Sequence, residues 1–158
     1  MGYCYGFRRQ CAALCAVVAV SLLAGACAFS ASNSITPSQE VQPAALAKQL
    51  QGSGNKPLIL QVGFETLYVQ GHVPGAKYCG PARNSFGIAN LKKCLKGVSH
   101  SQAIILYCGC CPWQECPNIR PAFKTVKEMG FTNVKALYIE DNFGKDWAAK
   151  GYPVATGE

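Results

Sequence analysis

A run of four apolar residues, Ile104, Ile105, Leu106 and Tyr107, stops abruptly at Cys108, and a helical pattern starts near Asn118. The run has the length and β-branched character of a strand buried on both faces. Such a strand belongs in a parallel sheet, whose helical crossovers cover both sides. The end of that strand, on a loop feeding a helix, is where open α/β sheets bind their ligands. Here the loop reads Cys108-Gly109-Cys110-Cys111-Pro112-Trp113-Gln114-Glu115-Cys116-Pro117, so four of the ten cysteines crowd into it. Backbone N–H groups in such a loop, with the positive end of the next helix, favour an anion. For Cys108 this predicts a lowered pKa and a reactive thiolate.

The rest of the chain alternates in the same manner. Pro43 to Gln51 has apolar residues at helical spacing, with the proline suited to a first turn. Pro57 to Val62 reads as another buried strand, and Glu65 to Val69 as one or two helical turns. The turn Gly71-His72-Val73-Pro74-Gly75-Ala76 leads into a short strand at Lys77 to Cys79. Ile88, Leu91 and Leu95 mark one face of a helix that stops around Gly97. Asn118 can cap the next helix, with Pro121 tolerated in its first turn; Ala122, Phe123, Val126 and Met129 form its inner face and Gly130 closes it. Val134 to Ile139 is a strand, and Phe143 to Lys150 a last short helix. Strands alternating with helix-length crossovers predict an α/β fold, a parallel sheet with helices on both faces.

Residues 1–30 read as a leader and 31–158 as one domain. Arg8 and Arg9 supply a positive start, Cys11 to Ala28 is apolar, and Ala26-Cys27-Ala28 fits a small-residue cleavage site. Two other fates stay open. Leu23-Ala24-Gly25-Ala26-Cys27 is a degenerate lipobox, so a lipid on Cys27 would attach the protein to a membrane; the apolar run is also just long enough for a retained anchor. Each of the three puts the folded part outside the cytoplasm, in the periplasm or cell envelope. The apolar content of 49% suffices for a core. The formal charge is +7, and without Arg8 and Arg9 basic residues still outnumber the 8 acidic ones. That excess suits a small anionic substrate. It is scattered and not interleaved with aromatics, so nucleic acid is not an expected partner.

At this point the chain resembles the rhodanese-like domain family over about Ile35 to Val154. Gly71 to Ala76 (GHVPGA) is similar to that family's first signature, and Leu106-Tyr107-Cys108 to its active-site strand with the catalytic cysteine first in the loop. Gly130-Phe131-Thr132-Asn133-Val134, with Trp147 and Gly151-Tyr152-Pro153-Val154, is similar to its closing signature. The resemblance implies a rhodanese-like doubly wound domain around a central five-stranded parallel sheet. It implies a sulfurtransferase or persulfide carrier without a cofactor, in which Cys108 takes sulfane sulfur from a small sulfur-containing anion such as thiosulfate. The acceptor would be a thiol, cyanide or a protein. Departures are visible too. The loop is longer than the family's usual cradle, Arg120 falls within the helix, and Gln61 and Gly63 stand where an Asp and an Arg are common.

Gly109, Cys110, Cys111, Trp113 and Arg120 are the candidate cradle around the anion, and Lys124 could add charge at its mouth. Cys110, Cys111 and Cys116 admit three roles. Cys108 and Cys111 form a C-x-x-C, the spacing of a resolving dithiol and of a thiol-disulfide oxidoreductase. A disulfide from Cys110 or Cys111 to Cys116 would brace the loop, the role favoured for an oxidising compartment. A non-catalytic metal-binding module is the third reading. Adjacent cysteines rarely chelate one tetrahedral ion and paired C-x-x-C knuckles are absent, so no metal is assigned. Cys79 and Cys94 either pair or stay as small buried apolar residues, and burial is the preferred reading. His72 is expected to bond locally within its turn, and His100 to face solvent. Trp147 and Tyr152 read as closing contacts, and Glu140, Asp141 and Asp146 as a solvated acidic face.

Overall fold

The computed structural model describes residues 34–157. The leader, with its cleavage, lipid and anchor readings, lies outside the described residues. Among the described residues no helix is long and apolar enough to cross a membrane. Five strands make one parallel sheet: β1 (Glu40–Val41), β2 (Leu58–Gln61), β3 (Lys77–Tyr78), β4 (Ile104–Tyr107) and β5 (Val134–Leu137). Their spatial order is β1-β5-β4-β2-β3, so β4 is the central strand. Ile104 pairs with Leu58 on one side and Val134 on the other. Helices α1 (Pro43–Gln51), α2 (Glu65–Gln70), α3 (Ser85–Cys94) and α4 (Ile119–Glu128) lie between successive strands, and α5 (Phe143–Asp146) follows β5.

The two faces of the sheet bury two separate apolar clusters. Side chains alternate along a strand, so Ile104 and Leu106 pack with Leu91 and Leu95 near α3 and with Ala122, Phe123 and Val126 of α4. Ile105 and Tyr107 pack on the opposite face with Leu46, Ala47, Tyr68 and Trp147. All four β4 residues are buried, which explains why the strand carries no polar position. Carrying the alternation one residue further puts Cys108 in the cluster of Ile104 and Leu106, on the side of α4.

The elements correspond to the sequence reading with three differences. The edge strand β1 is two residues long, below the length at which a period can be read. The last helical segment divides into α5 and a 3-10 turn at Ala148–Lys150. Asn118 makes no side-chain cap on α4; it is fully buried and its amide is used elsewhere. Cys79 and Cys94 form a disulfide with a Cα–Cα separation of 6.2 Å, which corrects the preference for two buried free thiols. Cys94 ends α3 and Cys79 directly follows β3, so the bridge ties that helix to the sheet edge.

Candidate active site

Cys108 is the first residue past β4, and three close approaches fix it there. The Gln61 side chain donates from Nε2 to the Cys108 carbonyl at 3.1 Å, while its Oε1 accepts the N–H of Gly63 at 3.2 Å. Gly63 must lack a side chain, because a Cβ would stand 2.9 Å from the Cys108 carbonyl oxygen and 3.0 Å from its sulfur. Gly109 takes a left-handed φ of +70°, and a Cβ on it would press on Phe143 at 2.9 Å. The loop then crosses toward β5, where Trp113 donates its N–H to the Glu140 carbonyl at 2.9 Å. Trp113 is buried against Tyr138 and forms a short 3-10 turn with Gln114 and Glu115. The loop thereby doubles back to bring Cys116 under Cys108.

The four loop cysteines are free thiols whose sulfurs all lie within 4.8 Å of one another. The expected bracing disulfide to Cys116 is therefore absent. The sulfurs gather around a common centre instead of pairing, with Cys108 to Cys110 at 2.9 Å and Cys110 to Cys111 at 3.2 Å. Within the C-x-x-C, the sulfur at hydrogen-bond distance from Cys108 is Cys110 and not Cys111. Asn118 explains the missing cap: its Nδ2 donates to Cys108 at 3.3 Å and to Cys110 at 3.6 Å, and its Oδ1 accepts the N–H of Arg83 at 3.0 Å.

Charge in this cluster does not settle where the sequence suggests. Hydrogen bonds from Cys108 and Cys110 hold the Cys116 thiol far below its ordinary pKa, at about 2, assisted by the backbone N–H groups of Asn118 and Ile119. These are orphan amides at the start of α4, aimed at the sulfur three residues before its first residue, Ile119. Cys108 is pushed upward by its hydrogen bonds to Cys110 and Cys116 and by burial. Cys111 is raised by burial and by its neighbours' sulfurs. Of the four loop thiols, Cys116 is the one whose surroundings favour the ionised form.

The expected cradle cations do other work. Arg120 donates to the carbonyls of Trp113 and Gln114 at 3.1 and 3.3 Å and to Gln114 Oε1, so it ties the loop to α4. Lys124 is an exposed partner of Glu128 at 3.8 Å. His72 bonds the Tyr68 carbonyl at 2.8 Å and stacks on that ring, as its turn predicts. Asp146 accepts the N–H groups of Asp141 and Asn142 at 2.6 and 3.0 Å, so it shapes the turn before α5 and is more than a solvated face. Above Cys108 opens a cavity of about 510 Å³, lined among others by Gln61, Tyr107, Cys108, Cys110, Phe143 and Val154. Burial pushes the Tyr107 hydroxyl up, so this wall stays neutral.

Residues 42–138 match the rhodanese-like domain family. The chain belongs to that family. A rhodanese-like domain from Anabaena is 18% identical, with a TM-score of 0.56 over 75% of this chain and 79% of that one. A Bacillus halodurans protein is 21% identical, with a TM-score of 0.59 over 75% and 77% of the two chains. A thiosulfate sulfurtransferase from Pseudomonas aeruginosa is 23% identical at a TM-score of 0.56, covering 76% of this chain and 20% of that longer one. At these identities the likeness is one of fold. No curated protein sequence matches the chain. The rhodanese-like fold is typical of sulfurtransferases, and this member adds a cluster of four cysteines at the end of its central strand. Sequence reasoning missed Gln61, Gly63 and Asn118 as positioning residues. The signal for the first two was present, since they depart from the family's usual pair after β2.

Proposed function

We propose that this rhodanese-like domain is a sulfurtransferase or persulfide carrier in which Cys108 accepts sulfane sulfur and passes it to a thiophilic acceptor. The observation that supports it most is that Cys108, the first residue past the central strand, lines the 510 Å³ cavity with the Asn118 amide donating to its sulfur. The cavity admits a small anion from one side. From the other, the Asn118 amide donates to the Cys108 sulfur and holds it at the cavity wall, and the thiol proton leaves to water in the cavity as attack begins.

With thiosulfate as donor, Cys108 attacks the outer sulfur. The donor's S–S bond breaks, sulfite leaves with the electron pair, and a Cys108 persulfide anion forms while the thiol proton passes to water. An acceptor thiolate or cyanide then attacks the outer sulfur, and Cys108 leaves as thiolate and takes a proton back from water. The amide of Asn118, which reaches the Cys108 sulfur, would hold the persulfide as well as the thiol. Export to the periplasm or cell envelope, with or without a lipid on Cys27, belongs to the same proposal; it rests on the leader's composition. Turnover of thiosulfate with cyanide tests the reading. Loss of the nucleophile in Cys108→Ser should lower the rate by about 100-fold or more, with Cys111→Ser within a few-fold of the parent. Undiminished turnover in Cys108→Ser would overturn it.

A further inference from the structure

We propose that Cys108, Cys110, Cys111 and Cys116 together form a mononuclear site for a soft, thiophilic metal ion such as Zn²⁺. The inference goes beyond sulfur transfer and does not rest on it.

Geometry is the first argument. Four sulfurs lie within 4.8 Å of one another. A tetrahedral tetrathiolate with metal–sulfur bonds of about 2.3 Å sets its sulfurs about 3.8 Å apart. The Cys108–Cys110 and Cys110–Cys111 distances of 2.9 and 3.2 Å therefore need to open by less than an ångström to admit one ion. The whole set is too tight for an iron–sulfur cubane, whose ligands surround several metals. Adjacency of Cys110 and Cys111, the objection raised by the sequence, falls away because both sulfurs face the same centre.

Chemistry is the second argument. An all-thiolate set selects zinc, copper(I) or similar ions over magnesium and calcium. Ligating sulfurs need outer donors to orient them. Asn118 supplies these to Cys108 and Cys110, and is itself fully buried and held by the Arg83 N–H. The long loop also gains a purpose: Trp113, locked against Tyr138, turns the chain so that Cys116 closes the set. Four protein ligands leave no open position, which is the mark of a closed site. A bound ion would therefore cover the Cys108 sulfur and mask it reversibly from any sulfur donor.

The test uses the reduced, metal-free protein under anaerobic conditions, titrated with Co²⁺ alone. One equivalent should develop the visible absorption of a tetrahedral thiolate complex, and one equivalent of Zn²⁺ should bleach it. Cys111 is half-buried, so Cys111→Ser perturbs the core least; it should weaken Co²⁺ binding at least tenfold and shift the spectrum. Should that variant misfold, the parent protein decides. Zn²⁺ must shield all four loop thiols from alkylation, counted by mass spectrometry. No stoichiometric band, an unchanged spectrum in Cys111→Ser, or fewer than four shielded thiols would overturn the site. Metal-free protein that turns over thiosulfate yet binds no Co²⁺ overturns this proposal alone. Protein that binds Co²⁺ and never accepts sulfur overturns only the transfer reading.

Discussion

At the scale of single residues, the site depends on which of four neighbouring thiols its surroundings favour as the thiolate. The sequence leads to Cys108 through its place at a strand end, and its position in the fold is the expected one. What the sequence does not show is that the helix-start amides reach Cys116, because that depends on how the loop folds back between Pro112 and Cys116. In the reduced protein, ultraviolet thiolate absorbance should report one ionised thiol at neutral pH, persisting into acid and lost in Cys116→Ser. A titration with all four thiols near the ordinary value would contradict this. The sign for stability follows. Cys116 has a folded pKa below its unfolded one, so its contribution is full above the ordinary thiol pKa of 9.0 and is lost as pH falls toward about 2. Cys108, raised in the fold, contributes below the ordinary thiol pKa and loses that contribution as pH rises beyond it. Gly63→Ala tests the positioning from the other side. Its methyl would crowd the Cys108 carbonyl and sulfur, for a cost of about 1–3 kcal/mol in urea unfolding and a loss of sulfur transfer. Unchanged transfer would mean that the sulfur has room to spare.

Among the elements, β2, β4, β5 and α4 were legible because their apolar periods match their burial. Leu58 to Gln61 and Ile104 to Tyr107 are almost continuously buried, and Ala122, Phe123 and Val126 line one helix face. β1 was not legible, since its two residues, Glu40 and Val41, which pair with Ala136 and Leu137, are too few to show a period. The state of the cysteines was hidden for a different reason. Whether two thiols pair depends on Cα separation, which only the tertiary path sets. That path brings Cys79 and Cys94 together and holds Cys108 and Cys110 apart as hydrogen-bonded thiols. The bridge spans a sequence separation of 15. Replacing both cysteines by alanine should cost about 3 kcal/mol, read as a lower urea midpoint. The sulfur-transfer rate under native conditions should change little, since this bridge lies at β3 and α3, away from the loop thiols. A stability change near zero would mean that α3 is held by packing alone.

Taken whole, the domain is a sheet with one apolar cluster on each face, and the site lies where its central strand runs out. Cys108 belongs to one cluster while the cavity above it is walled by residues from the other, such as Tyr107 and Phe143. Gly109 is the hinge of that arrangement. Gly109→Ala would add strain at φ +70° and push Phe143 out of place, so it should cost about 1–3 kcal/mol and distort the cavity. Binding of thiosulfate by calorimetry should weaken with it, and unchanged affinity would argue that the anion enters elsewhere. The measurement that tests the whole account most directly is peptide mapping by mass spectrometry after metal-free protein is treated with thiosulfate or a small-molecule persulfide. The account predicts a gain of one sulfur on Cys108, removed by cyanide and absent in Cys108→Ser. A sulfur that lands on Cys110, Cys111 or Cys116 while Cys108 stays unmodified, or no gain from either donor, would contradict it.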